Sequence, residues 1–318
     1  GQEADKYRAP STVSEEAVER HMHAHFDRVS GPYRRHGLRQ YLANISDWRH
    51  EEDHFAPRVF TEAMHFLEDN YRDDFFLVVD CFDPHEPWDA PSYYTELYMP
   101  DYDGEIVQPI YAHWRDDPEM SAAKVEKAHA TYSGEITMVD TWIGHLLRKV
   151  ENMGLAENTA IIFTSDHGFY FGEHGGKFGK MTFAKRSNGQ LYRHGDPDSQ
   201  WSHSPLYEEL VHIPLLIHVP GVAAGAYPGQ TSAIDVMPTV LGLFDQPAPD
   251  WVQGRSLVPA VRDPKDGGRE FSISTIPFAN PGDRVRSVDN ISRPLTSGLV
   301  TTVTAGEWSL LYSVAPGM

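Results

Sequence analysis

Apolar positions along this chain follow two spacings, one typical of helices and one typical of buried strands. A spacing of three or four residues predicts helices over residues 12–28, 51–70 and 233–244, and a longer one from Val125 to Val150 that Gly154 ends. Apolar runs of strand length cover residues 75–80, 159–164 and 213–219, and a further strand is predicted over residues 271–276. Helices and strands are therefore predicted to alternate along the chain.

The order of these elements predicts an α/β fold class. A strand at 75–80, a crossover that contains the long helix, and a strand at 159–164 are typical of parallel strands covered on both faces. We therefore expect a doubly wound, mainly parallel sheet with helices on both faces, in a domain spanning residues 1–290. Residues 291–318 are expected to begin a small antiparallel subdomain, because apolar residues there alternate on either side of Gly306 as in a hairpin.

The composition narrows the classes of function. The 318 residues carry a formal net charge of −19, which argues against nucleic acid and anionic membranes as partners, because both bind basic surfaces. No apolar run approaches the roughly 18 residues needed to span a bilayer, so we expect a soluble protein, cytoplasmic or periplasmic. The single cysteine, Cys81, excludes an internal disulfide. Neither end has the pattern of a natural terminus, so we expect a piece of a longer protein.

Two polar segments follow predicted strands, at the positions where open α/β sheets bind ligands. Asp83–Trp88 follows the first of these strands, and Ser165–Gly168 follows the second. If the strands are parallel and close together, His85 and the pair Asp166 and His167 face the same crevice. An Asp and a His at a turn can both ligate one metal ion, and the glycine after them permits that turn. The alternative is that these polar residues only cap the next helix.

A glycine-rich stretch directly downstream contains Lys177 and Lys180. Its backbone amides and ammonium groups are suited to an oxyanion, and a solvated surface loop is the alternative. His174 in this stretch and His203 in the polar insertion 181–205 are further candidates for substrate contacts. The insertion either lines the pocket or forms a surface loop.

Taken in order, these segments resemble motifs of the formylglycine-dependent (type I) sulfatases, which belong to the alkaline phosphatase superfamily. The matching elements are Phe82–Trp88, Ser165–Gly168, Gly172–Gly175, Tyr207–Glu209 before Ile213–Ile217, Gln230–Thr239, Gly254–Leu257 and Gly306–Leu310. The last of them has Ser309 where the family usually has Lys. The resemblance runs from about residue 50 to the end, is specific as a combination, and implies an alkaline phosphatase-like fold.

The resemblance also implies roles for individual residues. Asp166 and His167 would be metal ligands, and His85 would contact the sulfate or protonate the leaving oxygen. Lys180 would stabilise charge on the sulfuryl oxygens, with Lys177 as the alternative that the spacing allows. One divalent ion is implied, Ca²⁺ in this family. Mn²⁺ and Zn²⁺ stay open, because imidazole is a softer ligand than the amide that often stands beside the family's Asp.

The family's nucleophile is a cysteine in Cys-x-Pro/Ala-x-Arg, oxidised to formylglycine. Cys81 lacks this motif and is interpreted as a small core residue. Ser30 fits the serine version, yet no Asp-Asp pair precedes it, so we interpret it as unrelated. His21 and His25 have the spacing of a helical metal pair, but without Glu-x-x-His a solvated helix face is the preferred interpretation. We therefore expect the formylglycine upstream of this sequence, and this chain alone to be inactive.

The sequence thus predicts a metal-dependent hydrolase of sulfate monoesters, acting on a small-molecule or saccharide sulfate ester. The first alternative is a phosphonate or phosphodiester hydrolase of the same superfamily, which can share the Asp-His and His-x-Pro elements. The second is a non-catalytic remnant. The natural substrate and the oligomeric state stay open.

Overall fold

The computed structural model describes residues 29–30, 41, 45, 48–183, 201–202, 206–263, 265, 268–275 and 300–313. The helix predicted over residues 12–28 lies outside these ranges. The chain divides into two compact units. One holds residues up to Leu155 together with Tyr170–Ser202, and the other holds Ala156–Phe169 and the residues from His203 onward. The assignment of residues 1–290 and 291–318 to two domains stays a prediction.

Helices and strands alternate in the described residues, as the sequence predicts. The helices are α1 Phe55–Asn70, α2 Ser92–Thr95, α3 Ala122–Asn152, α4 Glu173–Gly176, α5 Glu208–Val211, α6 Val236–Leu243 and α7 Val258–Arg262. The strands are β1 Val29–Ser30, β2 Ile106–Val107, β3 Ala112–His113, β4 Ile161–Thr164, β5 Tyr170–Phe171, β6 Lys177–Gly179, β7 Thr182–Phe183, β8 Trp201–Ser202, β9 Leu215–His218, β10 Ser272–Thr275, β11 Val300–Ala305 and β12 Trp308–Ser313. Short 3₁₀ turns lie at Glu51–Asp53, Trp114–Asp116 and Ala233–Asp235.

The long helix α3 and the helix α1 pack together in the first unit. Ala56 and Phe60 of α1 form a buried cluster with Val139 of α3, and burying a side chain such as Phe stabilises a fold by about 1.5–3 kcal/mol. The side chain of Ser121 caps the first turn of α3. The helix ends before Gly154, which has a φ of +73°. The C-terminal end agrees with the prediction.

Short strands carry the glycine-rich stretch of the first unit. β3, β6 and β5 form an antiparallel sheet in that order, β7 pairs antiparallel with β8, and β1 pairs in parallel with β2. Gly172 N donates a hydrogen bond to Lys177 O at 2.7 Å, which closes the turn from β5 to β6. Gly179 ends β6 with a φ of +132°, and a Cβ there would lie 2.9 Å from Tyr111 Cα. This position therefore requires glycine.

Residues 75–80, predicted as a strand buried on both faces, depart from that prediction. They have no ladder partner in the part of the chain that the structure describes. Val79 packs against the cluster between α1 and α3, whereas Phe76 and Val78 are 65% and 68% exposed. The side chains alternate between core and surface, because an apolar run is buried on both faces only where other elements cover both.

Two sheets form the strand part of the second unit. β4 and β9 pair antiparallel, with Ile161 opposite His218 and Thr164 opposite Leu215. This pair differs from the parallel pairing predicted for most of the sheet, and antiparallel pairs of this kind are common in mixed sheets. β10, β11 and β12 form a three-stranded antiparallel sheet, and Gly306 turns the hairpin between β11 and β12 with a φ of +56°. The predicted hairpin is confirmed.

No helix in the described ranges combines the length and the apolar composition that crossing a bilayer requires.

Candidate functional site

A loop at residues 83–89 carries His85 in the first unit. Its peptide bonds before Pro84 and Pro87 are cis. Trp88 lies at the centre of an aromatic cluster, is 1% exposed, and donates a hydrogen bond from Nε1 to Pro84 O at 3.0 Å. The ring neighbours of Trp88 include Tyr132, Phe171 and Phe178. The loop is therefore anchored on its own tryptophan.

The imidazole of His85 contacts the side chain of Lys180. Its Nδ1 lies 2.8 Å from Glu86 O, and because a carbonyl oxygen only accepts hydrogen bonds, Nδ1 carries a proton. Nε2 then accepts a hydrogen bond from Lys180 Nζ at 2.8 Å. The ring stacks on Phe82 with centroids 4.3 Å apart. Two residues that the sequence singled out, 95 positions apart, are thus in direct contact.

Glu86 completes this arrangement, and sequence reasoning gave it no role. Its carboxylate is nearly buried, with Oε2 3.4 Å from His85 Nδ1 and Oε1 3.8 Å from Lys180 Nζ. A carboxylate at these distances compensates positive charge on both nitrogens. The signal that could have found it is its position directly after His85 in a short, polar segment.

The structure distinguishes the two lysines of the glycine-rich stretch. Lys180 directly follows β6 and contacts His85, whereas Lys177 lies within β6 opposite His113. Burial lowers the pKa of the Lys177 ammonium. His174 has a φ of +50° in α4, and its ring meets Tyr170 edge to face at 5.9 Å. The choice of Lys180 over Lys177 as the partner of His85 rests on the contact between Lys180 Nζ and His85 Nε2.

Asp166 and His167 lie in the second unit, at the turn that follows β4. His167 Nδ1 lies 2.9 Å from Gly168 O, so Nδ1 carries the proton and Nε2 keeps a lone pair. Nε2 lies 3.5 Å from Asp166 Oδ2. Two ligands that each lie about 2.0–2.2 Å from one metal ion are about 3–3.5 Å from one another. The pair therefore fits one divalent ion.

Gly168 fixes this turn against α5. Gly168 N donates to Leu210 O at 3.0 Å, and a Cβ at Gly168 would lie 1.9 Å from Glu209 O. Within the described ranges, no group of three or more His, Cys, Asp or Glu side chains is placed to hold a metal ion. A complete coordination shell would need donors beyond Asp166 and His167.

Cys81 and His203 complete the candidates. Cys81 packs beside the cluster of α1 and α3, and burial raises the pKa of its thiol to about 12. A thiol of this kind is a poor nucleophile, which agrees with the interpretation as a core residue. His203 lies outside the described residues, as do His21 and His25.

Comparison with known proteins adds three findings. A family model described as Sulfatase matches residues 15–246. An arylsulfatase from Clostridium perfringens is 27% identical over 247 residues, which cover 70% of this chain and 45% of the relative. An ulvan-active sulfatase from Formosa agariphila is 28% identical over 229 residues, 70% of this chain and 39% of the relative. The chain spans less than half the length of these relatives.

A solved structure gives the same result for the fold. The phosphonate monoester hydrolase from Silicibacter pomeroyi superposes with a TM-score of 0.62 at 23% identity, covering 84% of this chain and 53% of the other. The predicted α/β, alkaline phosphatase-like fold with a C-terminal antiparallel sheet is confirmed. Because the family model covers well over half of its residues, this chain belongs to the sulfatase family of the alkaline phosphatase superfamily.

Proposed function

We propose that the whole protein hydrolyses sulfate monoesters, and that this chain supplies the residues that act on the leaving group and on the sulfuryl oxygens. The observation that carries the proposal is the 2.8 Å contact between His85 Nε2 and Lys180 Nζ, with the carboxylate of Glu86 beside both. Hydrolysis breaks the bond between sulfur and the ester oxygen, and that oxygen must gain a proton.

His85 is placed to give that proton. Its Nδ1–H is held by Glu86 O, which fixes the plane of the ring. In the imidazolium form, Nε2–H would pass its proton to the ester oxygen as the bond between sulfur and that oxygen breaks, which leaves a neutral imidazole. Lys180 would turn its hydrogen bond from Nε2 to a sulfuryl oxygen when an anionic ester binds, which stabilises the charge there. Glu86 compensates the positive charge on the imidazolium and the ammonium.

Asp166 and His167 would hold a divalent metal ion. Such an ion, when bound, neutralises charge on the sulfuryl oxygens as a Lewis acid. The family expectation is Ca²⁺, and Mn²⁺ and Zn²⁺ stay open because of the imidazole ligand. We further propose the family's formylglycine as nucleophile, contributed by a residue outside this sequence, since Cys81 is partly buried and its pKa is about 12.

The substrate we propose is a sulfate ester of a small molecule or a saccharide. One of the sulfatase relatives is named for its action on ulvan. Lys177 and His174, on the glycine-rich stretch that leads to Lys180, and His203 are proposed as further substrate contacts.

The test uses the whole protein and compares aryl sulfates, aryl phosphate diesters and alkyl sulfates. We expect the sulfates to be hydrolysed faster than the diesters; the reverse order would make the protein a phosphodiester hydrolase. A lack of turnover on every one of these esters would overturn the enzyme proposal. Within the sulfates, a general acid matters most for poor leaving groups, where it contributes about 10²–10⁴-fold.

The variant His85→Gln tests the assigned role directly. It should slow the alkyl sulfate far more than 4-nitrophenyl sulfate, whose leaving oxygen needs little protonation. The matched control is His65→Gln, because His65 is an exposed histidine on α1. Equal losses on both esters would show that His85 does not donate the proton.

A further inference from the structure

The loop of residues 83–89 has no regular secondary structure, yet His85 in it must face Lys180 within a few tenths of an ångström. A loop without a ladder depends on side-chain contacts for its position. Two buried carboxyl groups make such contacts, one at each end of the loop, and the proposed reaction gives neither of them a chemical step.

The first contact holds the beginning of the loop. Asp83 is 8% exposed, and its Oδ2 accepts a hydrogen bond from Ala56 N at 2.9 Å. Ala56 lies in the first turn of α1, and the residue before that helix, His54, makes no side-chain cap. Asp83 therefore supplies from a distant segment the acceptor that a capping residue normally supplies locally. The loop is thereby tied to the N-terminus of α1.

The second contact holds the end of the loop. Glu135 is 2% exposed in the middle of α3, and its Oε2 accepts a hydrogen bond from Asp89 N at 3.0 Å. A glutamate so deeply buried in a helix is unusual unless something pairs with it. Its partner here is the backbone of the loop, on the far side of His85 from Asp83.

The stretch between these two ends is held by Trp88, and the same tryptophan also reaches the segment of Lys180. The ring of Trp88 lies 6.5 Å from that of Phe178 in β6, two residues before Lys180. Trp88 therefore connects the loop that carries His85 with the strand that precedes Lys180. The helices α1 and α3 hold the two ends of that loop.

Burying the carboxyl groups of Asp83 and Glu135 costs free energy. Burial, with Asp83 and Asp89 nearby, raises the pKa of Glu135 well above its ordinary value, and burial raises the pKa of Asp83 to about 6. An apolar residue of the same volume would avoid the cost but would deprive Ala56 N in α1, or Asp89 N in the loop, of this acceptor. The hydrogen bonds that tie the loop to α1 and α3, rather than the charges, are therefore what these residues contribute.

We propose that Asp83 and Glu135 are positioning residues, which fasten the two ends of the 83–89 loop so that His85 faces Lys180. The proposal rests on the function proposed above for His85. It predicts that the rate depends on a hydrogen-bond acceptor at these positions and not on a negative charge.

The test compares two variants at each position in the whole protein. Glu135→Leu removes the acceptor and keeps the volume, so kcat should fall on the order of 100-fold, the cost of displacing a catalytic group by about 1 Å, with little change in KM. Glu135→Gln keeps an acceptor oxygen and should retain most of the rate. Asp83→Leu and Asp83→Asn should differ in the same way.

The matched control is Thr131→Val, one helical turn before Glu135. Thr131 is equally buried, and its Oγ1 donates to Ala128 O within the helix, so the variant should cost stability and leave kcat of the folded protein unchanged. If Glu135→Leu lowers activity only in proportion to the unfolded fraction, as the control does, Glu135 is structural and the proposal is wrong.

A second readout does not need turnover. The imidazole ¹⁵N resonances of His85, assigned with His85→Gln, report the hydrogen bonds at Nδ1 and Nε2. They should shift in Glu135→Leu and stay in place in Glu135→Gln and Thr131→Val. Unchanged resonances in Glu135→Leu would overturn the positioning role. An inactive wild-type protein would instead contradict the proposed function, and the resonances would still decide the positioning.

Discussion

Glu86 places one carboxylate beside two nitrogen groups of the proposed site, the imidazole of His85 and the ammonium of Lys180. Its carboxylate lies 3.4 Å from His85 Nδ1 and 3.8 Å from Lys180 Nζ. We predict that Glu86→Gln lowers kcat on sulfate esters on the order of tenfold. Charges about 4 Å apart near a protein surface interact by a few kcal/mol, and about 1.4 kcal/mol is a factor of ten in rate. The control is Glu62→Gln, on an exposed glutamate of α1. An unchanged kcat would remove Glu86 from the site.

Cys81 offers a second test at the scale of single residues. Burial raises its pKa to about 12, so its thiolate fraction at pH 8 is on the order of a thousandfold below that of an ordinary cysteine with a pKa of about 8.5. We predict that iodoacetamide alkylates the Cys81 peptide of the native protein far more slowly than that of the denatured protein, as measured by mass spectrometry. Equal rates would show an accessible, ionisable thiol and reopen its candidacy as a nucleophile.

At the scale of elements, Gly179 ends β6 and sets the backbone position of the next residue, Lys180. Its φ of +132° and the 2.9 Å approach of a Cβ to Tyr111 Cα leave no room for another residue. We predict that Gly179→Ala costs about 1–3 kcal/mol of stability and lowers kcat, because Lys180 is displaced. Thermal unfolding and steady-state kinetics measure the two effects.

The control for this variant is another glycine in a regular element. Gly144 lies on α3, and a Cβ added there would meet no neighbouring group within 4 Å. Gly144→Ala should therefore raise stability by about 0.5–1 kcal/mol and leave kcat as it is. If Gly179→Ala were as harmless as Gly144→Ala, the glycine at the end of β6 would not be what orients Lys180.

The elements were largely predictable from the sequence, whereas the contacts between them were not. Helical spacing gave α3, and Gly154 gave its C-terminal end, since a glycine stop acts locally; the cap at Ser121 was not predicted. The prediction that residues 75–80 form a strand buried on both faces was wrong, because an apolar run does not show which of its faces other elements cover. The motifs identified His85 and Lys180 as candidate site residues. Their 2.8 Å contact depends on the packing of Trp88 against Phe178, which the periodicity of the sequence does not predict.

At the scale of the whole chain, charge is distributed unevenly. The net charge of −19 opposes the approach of an anionic ester, so binding depends on local positive charge. In the function proposed above, the glycine-rich stretch supplies it through Lys177 and Lys180. The buried carboxyl groups of Asp83 and Glu135 lie away from solvent and accept hydrogen bonds from the backbone of α1 and of the 83–89 loop, respectively.

Asp235 joins three separate segments of the second unit and makes its stability sensitive to acid. It is fully buried and accepts hydrogen bonds from Ser232 N at 2.9 Å, Arg255 N at 2.8 Å and Arg269 Nε at 2.9 Å. Burial acts to raise the pKa of Asp235, but these hydrogen bonds, with that of Arg269 the largest, outweigh it and hold the pKa below its ordinary value.

A lowered pKa means that Asp235 stabilises the fold fully above its unfolded pKa of about 3.9, and that this contribution is lost as the pH falls through the folded pKa. We predict that Asp235→Asn costs about 3 kcal/mol at pH 7, because it leaves the guanidinium of Arg269 without its carboxylate. The same variant should lose less stability than the wild type between pH 5 and pH 2. Urea unfolding across this range measures both effects, with Asp250→Asn, on an exposed aspartate of the same unit, as control. An acid response of Asp235→Asn equal to that of the wild type would place the sensitivity in other carboxyl groups.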